Sequence, residues 1–389
     1  MNAARGMKGA AAAAGVGILQ FKRGMSPVGE GGAVVRAIVA ACEDAGLDPS
    51  EVDGFVSYGD DHNQPDRLMG DLGTRELRFT TAVWGGGAGG LLAAFELAGM
   101  AIATGQAEAV VVYRALVQGT NGRLSAAVAA HHLSNHMATA GVVAPAHICG
   151  LRAQRMIEER HLPQSAIEAL VRADYYHASR NPDAVAYGNH FTLDDYYASR
   201  RVAGPFRLYD ASRENDGAGA VLMVSAERAR DLRKKPVYLL AAASGAHKGW
   251  GDTIENDDDY SATGFKSIAR RLWERTGLGP RDVDVTQLYE NFSHQGLSAL
   301  VDHGLTTWES MAEDVVFENL IAPSGWMPVN TSGGNLAQGF IHGINVVIEG
   351  VRQLRGESAN PVPDAKICLV TGGPGSPINS SALFANELV

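Results

Sequence analysis

The feature that most constrains the fold of this chain is a weak internal repeat. Residues 46–55 read GLDPSEVDGF and residues 277–285 read GLGPRDVDV, so both copies share Gly-Leu-x-Pro and a later Val-Asp pair. Each copy follows a segment whose apolar residues recur at helical spacing. In each, the proline opens a turn and Val-Asp leads into an apolar run typical of a strand. The chain is therefore expected to fold into two related halves.

The repeat continues further along both halves. GGGAGG at residues 85–90 precedes an apolar helical pattern, and the predicted strand Ala109–Tyr113 follows it. Gly333-Gly334 precede a second such pattern, which is followed by the predicted strand Ile367–Thr371. Strands that are apolar almost without interruption are typical of a sheet covered on both faces. These patterns predict an α/β protein with a duplicated α/β/α/β/α architecture of five layers.

The predicted halves are residues 1–235 and residues 236–389. Between about residues 115 and 205 the chain has few strand signals and many His, Ala and Arg residues. We interpret this segment as helices and loops inserted over the first half, where ligand-binding excursions commonly lie. No flexible linker separates the halves, so we expect them to share one interface.

Composition excludes several classes of function. A net charge of −10 argues against a broad nucleic-acid-binding surface. The three cysteines, Cys42, Cys149 and Cys368, include no CxxC motif, which predicts no disulfide framework or zinc knuckle and fits a reducing cytoplasm. No apolar run reaches the roughly 18 residues that a membrane-spanning helix needs. We therefore expect a cytoplasmic protein without a membrane or nucleic-acid partner.

Two further motifs are too weak to support a cofactor or a metal. Residues 85–90 satisfy G-x-G-x-x-G, but Glu108 precedes the next predicted strand, whereas a dinucleotide site needs an acidic residue at its end. His132 and His136 are four residues apart, but they lack the glutamate of HExxH. No metal site and no dinucleotide site are predicted.

Four segments carry a resemblance to a known family. They are GGGAGGLLAAFELAGMAIATGQAEAVVVY, RLYDASRENDGAGAVLM, TQLYENFSHQGLSAL and PVNTSGGNLAQGFIHGINVVIEGVRQLRG. They resemble thiolases of the sterol-carrier-protein-x type, and within these the bacterial thiolase-like lipid-transfer branch that includes steroid side-chain aldolases. The resemblance extends from about Gly15 to the C-terminus and implies a thiolase fold.

The chain departs from that family at the thiolase acyl-transfer residues. Where thiolases carry the nucleophilic cysteine, this sequence has Gly86, Gly87 and Ala88. Phe340 stands where the GHP histidine is found, and the second thiolase cysteine falls near Thr371. Because no thiol or imidazole occupies these positions, Claisen chemistry through a cysteine acyl-enzyme is not expected.

The resemblance implies a different pair of catalytic residues. In the steroid aldolases, a tyrosine at the position of Tyr289 and another at the position of Phe340 are taken as the acid and base. Tyr289 matches this pattern and Phe340 does not. His342, two residues further on, is the candidate for the missing role, and its alternative is an ordinary packed or helix-capping histidine.

Retro-aldol cleavage needs a base for the β-hydroxyl proton and donors for the developing enolate. Backbone amides of Gly86, Gly87 and Ala88 at a helix N-terminus are expected to hold the thioester oxygen. Phe340 and His294 are expected to contact the substrate. Glu290 and His294 lie close to Tyr289 in the sequence. They either adjust the acidity of its phenol or are solvated.

Two aspartates near these motifs are expected to be structural. Asp210 and Asp216 lie in LYDASRENDG, and aspartates in such turns usually bond to the local backbone.

The leading hypothesis is an aldolase that cleaves a β-hydroxyacyl-CoA derived from a steroid side chain into a ketone or aldehyde and a short acyl-CoA. The alternatives are a non-catalytic acyl-CoA- or lipid-binding subunit and an acyltransferase. No cofactor is implied, since CoA enters as part of the substrate. The resemblance also implies a homodimer formed through the N-terminal half, and a small partner with an OB-fold and a zinc ribbon in an α₂β₂ complex.

Overall fold

The computed structural model describes residues 7–59, 61–84, 87–123, 126, 135–249 and 257–388. Its strands are β1 (Ala11–Lys22), β2 (Gly54–Tyr58), β3 (Phe79–Val83), β4 (Ala109–Val117), β5 (Arg201–Ala203), β6 (Phe206–Arg207), β7 (Asn215–Ser225), β8 (Val237–Gly245), β9 (Val285–Gln287), β10 (Ile367–Gly372) and β11 (Asn379–Ala385).

The α-helices of the described residues are α1 (Glu30–Ala45), α2 (Pro65–Leu72), α3 (Leu91–Ala103), α4 (Gln118–Asn121), α5 (Asn135–Thr139), α6 (Pro145–Arg160), α7 (Gln164–Arg180), α8 (Leu193–Ala198), α9 (Ala226–Arg230), α10 (Lys266–Thr276), α11 (Ser293–Asp302), α12 (Met311–Asp314), α13 (Phe317–Leu320) and α14 (Ile344–Arg355). Short 3₁₀ turns cover Pro49–Glu51, Gly87–Gly90, Leu208–Asp210 and Pro280–Asp282, and a π turn covers Gly334–Gln338.

The main sheet repeats one strand order in mirror arrangement. The first half runs β3-β2-β4-β7-β1 and the second runs β8-β11-β10-β9. A short antiparallel pairing of Ala12 with Tyr238 and Ala13 with Val237 joins them. Beside β9, Val329 forms a single parallel bridge to Thr286, at the place that β3 occupies beside β2. The duplication seen in the sequence is thus present in the topology.

Helices cover both faces of each half-sheet. Helix α1 packs on β1, β7 and β4, and α10 packs on β8 and β11. Helices α3 and α14 lie between the halves, since α3 contacts β2, β4 and β8 and α14 contacts β10, β1 and β7. Alternate residues of β4 divide accordingly, with Val111 in the core shared with α1 and Val112 in the core shared with α3. The predicted five-layer α/β/α/β/α fold is confirmed.

The inserted segment bridges the halves and does not only cover the first. Helices α6 and α7 both contact α11 of the second half, and α7 also packs on the π turn Gly334–Gln338. Buried polar bonds fix this docking: Asn181 Nδ2 donates to Ser332 O (3.1 Å) and Tyr175 Oη to Leu336 O (3.3 Å). The expectation that this segment lies over the first half was therefore incomplete, because its buried face is complementary to the second.

Among the described residues, no helix has both the length and the apolar character needed to cross a membrane. The boundary predicted after residue 235 falls just before β8, and it stays a prediction that each half is a separate domain.

Candidate active site

The residues singled out in the second half converge where the two halves meet. Tyr289 follows β9, is 3% exposed, and its backbone N–H donates to Oγ1 of Thr371 (3.1 Å). Its ring meets Phe340 edge-on at 5.9 Å between centroids. Phe340 in turn lies 5.8 Å from the ring of His342. Tyr289, Phe340 and His342 therefore form one cluster.

The first half contributes the glycine-rich turn ahead of α3. A Cβ placed on Gly87 would lie 3.9 Å from Nε2 of His342, so the turn faces the imidazole directly. Ala88 follows in the same turn and is buried. Gly86 lies outside the described residues. The structure thus places the backbone of Gly87 and Ala88 beside the aromatic cluster.

A buried ion pair from the first half completes the cluster. Arg114, in β4, donates from Nε to Nδ1 of His342 (3.1 Å), from Nη1 to Oδ2 of Asp61 (2.8 Å) and from Nη2 to the carbonyl of Gly59 (2.6 Å). The side chains of Arg114 and Asp61 are 3% and 2% exposed. Neither was predicted as a site residue.

Tyr58 is a second tyrosine at this centre. It ends β2, stacks on His342 at 5.8 Å and donates from Oη to the carbonyl of His342 (2.9 Å). The internal repeat could have revealed Tyr58, because aligning VDGFVSY with VDVTQLY places Tyr58 opposite Tyr289. Pseudosymmetry thus brings equivalent tyrosines from both halves to the cluster, where Tyr58 contacts His342 and Tyr289 contacts Phe340.

Burial controls the ionisation of these groups. It raises the pKa of Tyr289 well above its ordinary value, whereas the Arg114 cation acts in the opposite direction. Burial also lowers the pKa of His342 well below its usual range, and the Arg114 charge lowers it further. Both side chains are therefore neutral in the resting protein. The cluster offers proton donors and one ion pair, with no thiol at the turn ahead of α3.

Two proteins of known function are similar to this chain over nearly its whole length. A 17-hydroxy-3-oxo-4-pregnene-20-carboxyl-CoA lyase of Mycobacterium tuberculosis is 34% identical over 397 residues, covering 97% of this chain and 100% of the lyase. A steroid side-chain-cleaving aldolase of Thermomonospora curvata is 33% identical, covering 98% of this chain and 99% of the aldolase. This protein belongs to the thiolase superfamily, on the branch of the steroid side-chain-cleaving aldolases.

Solved structures and a family model place the fold in the same superfamily. The structure of an Ltp2-ChsH2(DUF35) aldolase matches with a TM-score of 0.89 and 33% identity, over 97% of this chain and 98% of that chain. Human mitochondrial 3-ketoacyl-CoA thiolase matches with a TM-score of 0.71 at 14% identity, over 97% and 99% of the two chains, which shows the shared fold. The family model Thiolase C-terminal domain-like covers residues 246–384. The resemblance stated from the sequence is confirmed.

In this member of the thiolase superfamily, His294 lies outside the aromatic cluster. It is 1% exposed, its Nδ1 lies 3.0 Å from Oγ of Ser293, and its ring contacts Phe206 at 5.0 Å. Burial lowers its pKa to about 3, so the ring is neutral. The structure directs His294 toward a separate apolar cluster around Phe206 and Phe292. Its contact with substrate stays a prediction.

Glu290 is buried and is not solvated. Its Oε1 accepts from the Asn330 amide and its Oε2 accepts from the N–H of Asn335 (3.1 Å). The same amide nitrogen, Nδ2 of Asn330, also donates to Oδ2 of Asp174 at 3.5 Å. Burial raises the pKa of both carboxyls, and each carboxyl is close enough to affect the other. Glu290 therefore anchors the backbone that positions Tyr289.

Asp210 and Asp216 have the structural roles expected, though only one bonds locally. Asp210 accepts from the nearby N–H of Arg207 (2.7 Å). Asp216 instead accepts from the distant N–H groups of Gly24 and Gly119, each at 2.7 Å. The expectation of a local bond was wrong for Asp216, because β7 pairs with β1 and β4 and brings remote loops to its end.

Proposed function

We propose that this protein is a carbon–carbon lyase that cleaves a β-hydroxyacyl-CoA, namely a 17-hydroxy steroid carrying a three-carbon side-chain thioester. The products are a 17-ketosteroid and propionyl-CoA. The full-length similarity to two proteins named as a steroid-CoA lyase and a steroid side-chain-cleaving aldolase carries this proposal. It is supported by the proximity of the Tyr289 ring, the His342 imidazole and the backbone of Gly87.

Tyr289 is the proposed acid and base. In the small fraction of the protein in which Tyr289 is ionised, the phenolate takes the proton of the β-hydroxyl while the bond between the α- and β-carbons breaks and the ketone forms. The electron pair of that bond becomes the enolate of the acyl-CoA. The neutral phenol of Tyr289 then returns the proton to the α-carbon, which restores the phenolate and balances the reaction.

The turn ahead of α3 is the proposed site of the thioester oxygen. Backbone N–H groups at a helix N-terminus favour negative charge, and the enolate oxygen carries it. The residues proposed here are Gly86, Gly87 and Ala88, with Phe340 against the steroid. We propose that no resident cofactor or metal is needed, because the backbone N–H groups are proposed to hold the enolate charge and Tyr289 to carry the proton. CoA enters as part of the substrate.

A second candidate is a non-catalytic acyl-CoA- or lipid-binding subunit. Phe340 favours it, since the position that carries a second phenol in the resembled aldolases has none here. Binding without cleavage by the wild type, and cleavage gained by Phe340→Tyr, would support this candidate.

A third candidate, an acyltransferase, needs a nucleophile. Cys149, in α6, is 9% exposed and its Sγ lies 3.8 Å from Nδ2 of Asn291, two residues after Tyr289. Transfer of labelled acetyl from acetyl-CoA, lost in Cys149→Ala, would establish this activity.

We propose a homodimer and a partner subunit with an OB-fold and a zinc ribbon, in an α₂β₂ assembly within the cytoplasm. The partner is suggested by the two-component Ltp2-ChsH2(DUF35) aldolase. The dimer is suggested by β3, which pairs with β2 on one edge and is followed by Trp84, 91% exposed.

Product analysis tests the proposed activity. The protein, with and without the OB-fold partner, is mixed with a 17-hydroxy steroid acyl-CoA of 22 carbons. We expect a 17-ketosteroid and propionyl-CoA, abolished in Tyr289→Phe and retained in Tyr175→Phe. Tyr175 is the matched control because it is a buried, hydrogen-bonded tyrosine outside the cluster. Tight binding without cleavage in the presence of the partner would contradict the proposal.

A further inference from the structure

Arg114 determines which nitrogen of His342 carries the proton. A guanidinium has only donors, and Nε of Arg114 is directed at Nδ1 of His342 at 3.1 Å. Nδ1 must therefore accept, which means that it bears no hydrogen. In the neutral imidazole the proton is then on Nε2.

Arg114 is itself fixed on two further sides. Asp61 accepts from Nη1 at 2.8 Å and also from the backbone N–H of Ala115 at 3.2 Å, while Gly59 accepts from Nη2 at 2.6 Å. Both charged side chains are almost fully buried. Because all three nitrogens of the guanidinium are engaged, it cannot rotate away without leaving a buried charge unpaired.

The position of the imidazole is set by two glycines. A Cβ on Gly59 would come within 2.6 Å of Cε1 and 2.8 Å of Nδ1 of His342, so only glycine lets the ring approach Arg114. On the other side, Nε2 of His342 faces Gly87 at the turn ahead of α3. A Cβ built on Gly87 would lie 3.9 Å from this nitrogen. The Nε2–H is thus directed at the turn proposed above to hold the thioester oxygen.

We infer that His342 is a neutral hydrogen-bond donor to the enolate oxygen, and that Asp61 and Arg114 are positioning residues that fix its Nε2–H tautomer. This inference rests on the proposed aldolase activity. It revises the expectation that His342 replaces the second tyrosine as acid or base. An imidazole whose only free position already carries a proton is not a base, which leaves proton transfer to Tyr289.

The charges around His342 keep it in this form. The titratable and charged groups around it are the Arg114 cation, with Asp61 beyond it, and Tyr58, which stacks on it, while Tyr289 meets the ring of Phe340 that contacts His342. Burial and the Arg114 charge both lower the pKa of His342. No histidine ionisation is therefore expected in the pH dependence of cleavage near neutrality.

The tautomer can be measured without substrate. In protein labelled with ¹⁵N-histidine, the His342 resonances are identified by their loss in His342→Gln. We expect unprotonated Nδ1 and protonated Nε2 from about pH 5.5 to about pH 8.5, where an ordinary histidine titrates. In the double variant Asp61→Asn/Arg114→Leu, which removes both buried charges together, we expect mixed tautomers or titration. A wild-type His342 that carries its proton on Nδ1 or titrates near neutrality would overturn the inference.

Cleavage of the steroid acyl-CoA tests the role of the donor. His342→Leu is expected to lower kcat by about 100- to 1000-fold, as loss of an oxyanion donor does. His342→Gln keeps an N–H donor and is expected to stay within about tenfold of the wild type. Equal losses in both variants would overturn the donor role.

A pair of glycine variants separates displacement of the ring from backbone strain. Gly59→Ala displaces the imidazole without removing a polar group, and Gly73→Ala has a similar positive φ (+67° against +61°) with no neighbour within 4 Å. Only Gly59→Ala is expected to lower kcat; equal effects would count against the positioning of His342. If the wild type cleaves nothing, the proposed activity fails, while the tautomer measurement still decides the arrangement of Arg114 and His342.

Discussion

Gly343 lies directly against the ring of Tyr289: a Cβ added to Gly343 would come within 2.5 Å of Cδ2 and 2.9 Å of Cε2 of the tyrosine. We predict that Gly343→Ala displaces the phenol and lowers kcat/KM for steroid acyl-CoA cleavage by about 100-fold, since small displacements of reacting groups are costly. Gly356→Ala is the control, because Gly356 also has a positive φ and no neighbour within 4 Å. Equal losses in both variants would show that backbone strain, and not the phenol, is responsible.

The raised pKa of Tyr289 predicts a rate that rises with pH. If the phenolate is the base, its fraction grows about tenfold per pH unit below the pKa of the group. Because burial moves that pKa above its ordinary value of 10.0, kcat/KM is expected to rise through the neutral range without a plateau. Steady-state kinetics from about pH 6 to about pH 9 measure this. A bell-shaped profile centred near neutrality would rule out Tyr289 as the base.

Much of the fold could be predicted because its strands are uninterrupted apolar runs. The predicted strand Ala109–Tyr113 is the start of β4, which continues to Val117, and the predicted Ile367–Thr371 is β10 less its last residue. The predicted strand ends at Tyr113 because Arg114 interrupts the apolar run. That interruption was itself a signal, since an arginine inside a buried strand needs partners.

The candidate site was predictable only in part. The family motifs predicted Tyr289, Phe340 and His342 as site residues, and the structure places their rings in one cluster. The partners of Arg114 could not be read from spacing, because Asp61 lies 53 residues and His342 lies 228 residues away along the chain. The surroundings of His294 could not be predicted from sequence proximity: it is close to Tyr289 along the chain, but the start of α11 turns its ring toward Phe206.

The buried carboxyls of Asp174 and Glu290 predict that stability falls as pH rises. Burial raises the pKa of Asp174, with a further contribution from Glu290, and burial raises the pKa of Glu290. The folded protein therefore retains protons that the unfolded chain releases above roughly pH 4. The stability that the two protonated carboxyls contribute is complete below their pKa in the unfolded chain. It is lost as pH rises through their pKa in the folded protein. Between those values each carboxyl costs about 1.4 kcal/mol of unfolding free energy per pH unit.

Asp174→Asn tests this account, since the amide mimics a protonated carboxyl. We predict that the decrease in Tm between about pH 5 and about pH 8 becomes smaller in this variant. Asp258→Asn, at an exposed position, is the control and should leave the pH dependence unchanged. A Tm that rises with pH in the wild type would contradict the prediction.

The open edge of β3 predicts how the proposed homodimer is disrupted. β3 pairs with β2 in parallel, and its alternate residues Thr80 and Ala82 are exposed. An edge strand with unpaired backbone groups is a template for pairing with a second strand, and charged side chains prevent it. We therefore predict that Thr80→Lys/Ala82→Lys converts the dimer to a monomer in sedimentation experiments with folding retained. Gln106→Lys, exposed in the turn before β4, should remain dimeric. A dimer that survives both lysines pairs through another surface, whereas a monomeric wild type would remove the homodimer from the proposed assembly.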